Sequence, residues 1–378
     1  MKLSTFHTTS DKVFEQPFPD LDSEDTLILL FADSALLDDD SILDPLKDYF
    51  PTSKFMGCST AGEIFQNTVQ DQSVSVAVTK FDHTKLQSFS TEVGLPENSR
   101  TAGRHLADNL LEDNLQAVFL LSDGLNINGS ELVKGFNDIL PKNVVVTGGL
   151  AGDGPRFERT WVLNDGHPTQ NCVTAIGFYG NMLHYNSGYK GGWDVFGPER
   201  TVTKSKGNIL YSLDDKPALD LYKTYLGDLA TELPSSGLLF PLSIRKDADD
   251  RNPLVRTILA VDDDAKSLTF AGDIPEGYLA QLMKANFDNL IEGAQTAAIH
   301  TNFESTSSDT LAIGISCVGR RLVLKERVEE ELEATLEVLP DNTQLVGYYS
   351  YGEISPNFVN QDCDLHNQTM TLTIISES

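Results

Sequence analysis

The sequence predicts an α/β fold of two domains, 1–216 and 217–378, built from repeated βαβ units with added antiparallel strands. Three observations carry this. The turn "GCSTAGEI" at residues 57–64 has the form G-x-x-x-x-G-E-I, and "GYYSYGEI" at residues 347–354 repeats it. Residues 27–63 align without a gap on residues 117–153, at an offset of 90. At 378 residues the chain is long for one domain and comfortable for two, since single cores stop growing near ~250–300 residues.

In the aligned pair, Asp33 falls on Asp123, Pro51 on Pro141, Gly62 on Gly152 and Glu63 on Asp153. Between them, Ile42, Leu43, Leu46, Tyr49 and Phe50 fall on Leu132, Val133, Phe136, Ile139 and Leu140. That is the spacing of a helix with one buried face. Ser41 and Ser130 stand near the expected helix starts as caps, and the two prolines stop the helices. A third copy spans about residues 310–353: "TLAIGISC" as a strand, "KERVEEELEATLEVLP" as a helix, and "TQLVGYYSYGE" as the second strand and turn. Short helical crossovers imply parallel strands joined right-handedly.

After each unit the chain turns to β structure: "VSVAVTKF", then "TWVLND" and "NCVTAIGFYG", then "TMTLTIIS". Between the second and third units, "LVRTILAVDDDAKSLTFAGD" reads as two strands around an Asp-rich turn. "YLAQLMKANFDNLIEGAQTAAIH" reads as one long helix, and "LDDKPALDLYKTYLG" as a turn, a boundary and a helix start at Pro217. "LPENSR" and "TSSD" read as short loops.

Composition narrows the function classes. A formal charge of −28, spread along the chain, repels phosphate backbones and anionic lipid, so no nucleic-acid partner is expected. The first twenty residues lack the apolar core of a signal peptide, and no apolar run approaches the ~20 residues that span a bilayer. Cys58, Cys172, Cys317 and Cys363 lack C-x-x-C spacing, against a zinc knuckle or disulfide scaffold. The expectation is a cytoplasmic protein without membrane insertion.

In parallel α/β sheets, ligands bind beyond the carboxyl ends of the strands. Asp33, Glu63, Asp123, Asp153 and Glu353 are expected there, beside glycines that bare backbone N–H groups. Such a crevice offers donors to a carboxylate and acids to an amine or hydroxyl. The alternative is that the carboxylates cap helices and loops and the glycines only permit the turns. The expected ligand contacts are Ser59, Thr60, Gly62 and Glu63 in the first turn, Gly149, Gly152 and Asp153 in the second, and Tyr351, Gly352 and Glu353 in the third.

Other chemistries find less footing. The P-loop G-x-x-x-x-G-K-[ST] and the Rossmann fingerprint are absent. "CSTAG" resembles a nucleophile elbow only loosely, although Ser59 with Glu63 or Glu353 is the set an enzyme acting on a small metabolite would use. No catalytic residue is therefore assigned and no turnover is expected. No histidine pair has metal spacing, but one imidazole suffices for haem iron. His184, near Tyr185, Tyr189, Trp193 and Phe196, and His366, beside the last strand, are the candidates for the haem iron.

The stretches "FMGCSTAGEI", "VTGGLAGDG", "GNILYSLDDKPALDLYKTYLG", "GYYSYGEISP" and "LHNQTMTLTI" resemble the paired FIST-N and FIST-C domains of bacterial sensory proteins, over about residues 27–375. The resemblance implies a FIST-N-like domain at 1–216, a FIST-C-like domain at 217–378, and a ligand-sensing role in signal transduction, with amino acids among the suspected ligands. No output domain is expected within these 378 residues. The resemblance therefore implies a separate partner, a histidine kinase or a cyclic-di-GMP enzyme. Some free-standing relatives are haem-containing nitric-oxide sensors that regulate a histidine kinase, which makes haem b a candidate cofactor here.

Overall fold

A computed structural model of the chain describes residues 1–9, 14, 17–251, 253–303, 309–357 and 361–378. Of the expected "TSSD" loop, residues 306–308 lie outside them.

The first unit contains β1 (Lys2–Thr9), β2 (Thr26–Ala32), α1 (Asp44–Tyr49), β3 (Lys54–Ser59), the hairpin β4 (Glu63–Phe65) and β5 (Thr68–Gln70), and β6 (Ser73–Lys80). The second repeats this order with β7 (Lys85–Glu92), α2 (Ser99–Leu110), β8 (Leu115–Ser122), α3 (Gly129–Ile139), β9 (Val145–Leu150), the hairpin β10 (Val162–Asn164) and β11 (His167–Thr169), and β12 (Cys172–Tyr179). Then come β13 (Leu183–Lys190) and a separate sheet of β14 (Asp194–Lys206), β15 (Ile209–Leu213), β16 (Lys216–Pro217), β17 (Leu242–Arg245), β18 (Leu254–Arg256), β19 (Ile258–Asp262), β20 (Ser267–Phe270) and β21 (Leu279–Lys284), which carries α4 (Ala218–Leu226). The third unit follows with α5 (Phe287–His300), β22 (Thr310–Cys317), α6 (Val318–Leu324), α7 (Val328–Leu336), β23 (Thr343–Ser350), the hairpin β24 (Gly352–Pro356) and β25 (Cys363–His366), and β26 (Met370–Glu377).

In each unit the two crossover strands pair in parallel: β2 with β3, β8 with β9, β22 with β23. The expected mixed α/β architecture is therefore present. What local pattern does not announce is an exchange of hairpins. The β4–β5 hairpin of the first unit pairs with β23 of the third, β10–β11 of the second pairs with β3 of the first, and β24–β25 of the third pairs with β9 of the second. The exchange is cyclic, so three six-stranded sheets are locked to one another.

Two-residue periodicity explains the core. Leu27, Leu29 and Phe31 of β2, Ala117, Phe119 and Leu121 of β8, and Leu311, Ile313 and Ile315 of β22 share one interior cluster. The alternate positions face outward onto helices. Ile28, Leu30 and Ala32 pack with Leu43, Leu46 and Phe50, and Val118 and Leu120 pack with Leu106, Leu132 and Phe136. Burial on both faces is why these strands read as continuous apolar runs. Each fully buried Leu, Ile or Phe contributes ~1.5–3 kcal/mol, enough to override weak local preferences.

Several expectations need correction. The expected helix over 278–300 is a strand followed by a helix. Residues 279–284 form β21, held between β14 and β17, and Asn286 then caps α5 by accepting from the Asn289 N–H at 3.3 Å. Sheet pairing outweighs the helix-favouring composition of "LAQLMK". The end of "LPENSR" already belongs to α2, which was not foreseen. Asn128, not Ser130, caps α3, and α1 has no side-chain cap, the residues before it, Ser41–Leu43, forming a 3-10 turn. Tyr49 stays exposed.

The gapless alignment also slips. Leu30 faces Gly57 while Leu120 faces Gly148, one position beyond the offset of 90. In the third unit Gly314 faces Gly347. At Gly57, Gly148 and Gly347 a Cβ would strike the facing carbonyl oxygen, which fixes the equivalence on steric grounds. One residue further on, Cys58, Gly149 and Tyr348 face Val162, Glu353 and Glu63 on the exchanged hairpins. The structural counterpart of Glu63 and Glu353 is therefore Val162, not Asp153.

Candidate functional site

The turns after β3, β9 and β23 meet one another through backbone hydrogen bonds. Ala61 N–H donates to Tyr349 O at 2.7 Å and Tyr349 N–H to Gly62 O at 2.8 Å, while Gly152 N–H donates to Ser59 O at 2.9 Å and Tyr351 N–H to Leu150 O at 3.3 Å. Gly152 packs so closely on Ala61 that a Cβ would lie 2.8 Å from the Ala61 nitrogen. Gly149 is crowded by the Tyr348 hydroxyl and Gly352 O, and Gly352 packs on Leu365. These glycines close the ring of turns.

The two glutamates lie behind it, buried and fully occupied. Glu63 accepts from the Thr60 hydroxyl, from Ser73 N–H at 3.1 Å and from the Ser73 hydroxyl at 2.7 Å. Glu353 repeats this with the Ser350 hydroxyl at 2.6 Å, Thr369 N–H at 3.1 Å and the Thr369 hydroxyl at 2.8 Å. Each fastens the start of its hairpin to the start of the strand that follows it. Burial pushes both carboxyls up to about 7, against the pull of those hydroxyl and N–H donors. Ser59 is likewise internal, its hydroxyl accepting from Trp161 N–H at 3.0 Å.

In front of the ring lies an open cleft of about 590 Å³. Its walls come from all three units: Asp33 after β2, Thr60 and Ala61, Asp71 and Gln72 before β6, Gly154 to Arg156 after β9, and Arg321 and Lys325 on and just after α6. Arg321 forms a bidentate pair with Asp71, both contacts at 2.7 Å, and donates to Ala61 O at 2.6 Å. Gly62 has φ +130°, and the Arg321 guanidinium occupies the place a Cβ would take. Hydrogen bonds from Arg321 hold the Asp71 carboxyl below its ordinary range despite partial burial. Arg156 pairs with Asp153 and reaches Asp33 at 3.5 Å. Burial opposes ionisation of Asp153, but Arg156, the Ser34 hydroxyl and Arg159 N–H together keep its carboxyl below the usual range. Lys325 makes no ion pair among the described residues, and its backbone is left-handed, with φ +53°.

Of the expected contact residues, Thr60 lines this cleft, Gly62 seats Arg321, and Asp153 positions Arg156. Ser59, Glu63, Gly149, Gly152, Gly352 and Glu353 build the frame, and Tyr351 lines a different cavity. Asp33 and Asp123 cap their own loops: Asp33 accepts from Ala35 N–H, Asp123 from Leu125, Asn126 and Asn171 N–H. Sequence reading missed Arg156, Arg321, Asp71 and Lys325. The available signal was positional, since the paired arginines of "VGRR" begin three residues after Cys317, the third unit's counterpart of Asp33 and Asp123.

The histidines do not make a haem seat. His184 is exposed on β13, and the aromatics near it in sequence are engaged elsewhere. The Tyr185 hydroxyl bonds Thr147, Tyr189 packs on the His366 ring at 4.0 Å, Trp193 donates to Gln368 O, and Phe196 meets Phe240. His366 is buried, with Nε2 3.3 Å from Ser355 O, and burial lowers its imidazole to about 3. Neither histidine lines any of the four cavities described. Among the described residues no cluster of three or more His, Cys, Asp or Glu side chains could hold a metal ion, and no helix is long and apolar enough to cross a membrane.

A body of βαβ units whose turns frame a charged cleft defines a two-domain α/β protein. The chain belongs to the FIST family: the FIST N domain matches residues 26–216 and the FIST C domain residues 218–356. FIST domains are sensory domains of signal-transduction proteins. Uncharacterized protein MJ1623 of Methanocaldococcus jannaschii is 24% identical over 357 residues, covering 82% of this chain; the chain spans 66% of that protein's length. Among solved structures, a cyanuric acid hydrolase from A. caulinodans is 8% identical, with 78% of this chain and 99% of that one covered. Its TM-score of 0.19 carries no argument about fold or chemistry.

Proposed function

We propose that this chain is a cytoplasmic ligand sensor that binds, without turnover, a small molecule carrying both a carboxylate and an ammonium or hydroxyl group. One observation carries the reading: the cleft gathers Arg156, Arg321 and Lys325 with Asp33 and Asp71, one side chain or more from each unit. The guanidiniums take the carboxylate and the aspartates the opposite end. A carboxylate arriving at Arg321 competes with Asp71, so binding loosens the loop that joins β5 to β6. That displacement is the signal, read by a separate histidine kinase or cyclic-di-GMP enzyme. The two domains are proposed to divide at 216/217, beside the gap between family matches that end at 216 and begin at 218, and to be intertwined, because β4–β5 and β13 pair with strands beyond residue 300.

A thermal-shift screen of metabolites against wild type and Arg321→Gln tests this, with the ligand assayed afterwards by mass spectrometry. A saturable shift, lost in the variant and with the ligand recovered intact, supports a sensor. Conversion of the ligand would make the protein an enzyme instead.

A further inference from the structure

A second cavity, of about 300 Å³, lies beyond residues 154–157 from the charged cleft, between the ring of turns and the separate sheet. Its chemistry is opposite. No charged side chain lines it, although the chain as a whole is 22% charged. One wall is the stacked pair Phe157 and Tyr351, ring centroids 4.3 Å apart and 13° from parallel. The facing wall is Leu259 and Phe270 from β19 and β20. Leu259 is 41% exposed, an apolar side chain left without a cover.

Phe157 has φ +55°, a left-handed backbone that is strained for a bulky residue and persists only when its surroundings hold it. Here Phe157 N–H donates to the Tyr351 hydroxyl at 3.2 Å, and that hydroxyl donates to Gly154 O at 3.0 Å. The strain presents a flat, rigid aromatic face to the cavity. Asn128 and Asn208 supply the polar rim. Each amide offers four hydrogen-bonding sites, and their recorded bonds, from Glu131 N–H and to Asp273 for Asn128 and to Phe270 O for Asn208, leave capacity for a ring heteroatom.

We propose that this cavity is a second binding site, taking a neutral planar ring compound that stacks on Phe157 and Tyr351 and packs against Leu259. The volume stands at the lower end of the ~300–1,000 Å³ typical of ligand pockets, which fits one or two fused rings and excludes a porphyrin. The absence of a counter-charge excludes anionic or cationic rings, whose desolvation would go uncompensated.

Indole, as a neutral probe, and benzoate, as a charged one, test this on the full chain by ligand-observed NMR titration. Indole is expected to bind saturably and benzoate not to displace it. Phe157→Ala and Leu259→Glu are each expected to weaken indole at least tenfold. Leu259 is exposed, so its variant should retain the wild-type melting curve. Absence of saturable indole binding, displacement by benzoate at comparable concentration, or indole affinity within twofold of wild type in both variants would overturn the proposal.

Discussion

Glu63 and Glu353 hold equivalent places in two of the three units, each on an exchanged hairpin opposite the residue that follows a register glycine. Their partners are equivalent too. Thr60, Glu63 and Ser73 correspond to Ser350, Glu353 and Thr369. By the same registers the middle unit places Ala151, Val162 and Cys172 there, all buried. A polar staple in two units is an apolar contact in the third. Either way the group is satisfied, since a buried polar trio must be complete or absent.

The staples make stability depend on pH. Both carboxyls sit near 7 in the folded chain against an ordinary value of 4.5. Between these values the folded state holds protons that the unfolded state has released, so stability falls as pH rises from about 4.5 to about 7. Each contributes on the order of 3 kcal/mol to that fall. Glu63→Gln or Glu353→Gln mimics the protonated acid, whose amide can donate to the Thr60 or Ser350 hydroxyl. Denaturant unfolding at pH 5 and pH 8 should show a smaller drop in either variant than in wild type. An unchanged difference would contradict the staple's titration.

Transplanting the staple tests the equivalence itself. Val162→Glu alone buries a carboxyl without donors and should cost ~3–5 kcal/mol at pH 8. Adding Ala151→Ser and Cys172→Ser supplies them, and most of the loss should return in the midpoint of urea unfolding. A triple variant no more stable than the single one would show that the three positions do not superpose.

Arg320 and Glu331 form an ion pair at 2.7 Å with both side chains fully buried, and Glu331 also accepts from the Ser316 and Tyr349 hydroxyls. Arg320→Met strands the Glu331 charge and should cost ~3–5 kcal/mol. The double variant Arg320→Met, Glu331→Met removes both charges and should melt above the single one. A double variant that melts no higher than Arg320→Met would contradict the cost assigned to the stranded charge.

The fold was legible where the chain's own periodicity dictates it. The apolar runs of β2, β8 and β22 and the helical spacing around Leu46 and Phe136 are local facts. The hairpin exchange was not, because nothing in "EIF" or "GEISP" says that its partner is β23 or β9. The repeated Gly-Glu is a structural repeat as its spelling implies, but its role depends on Ser73 and Thr369, ten and sixteen residues onward, which only the folded strands bring back. Of the cleft, Thr60 was legible, and Gly62, whose open side seats Arg321. Arg321 and Asp71 stand 250 residues apart, so only the third dimension pairs them.

The central claim, a small ligand held between Arg156, Arg321 and the two aspartates, is tested most directly by hydrogen exchange measured with and without a saturating hit from the metabolite screen. Changed exchange is expected to be confined to residues 60–62, 71–72, 154–156 and 318–325, and to disappear in Arg321→Gln. A bound ligand that changes exchange elsewhere and leaves these four segments untouched would contradict it.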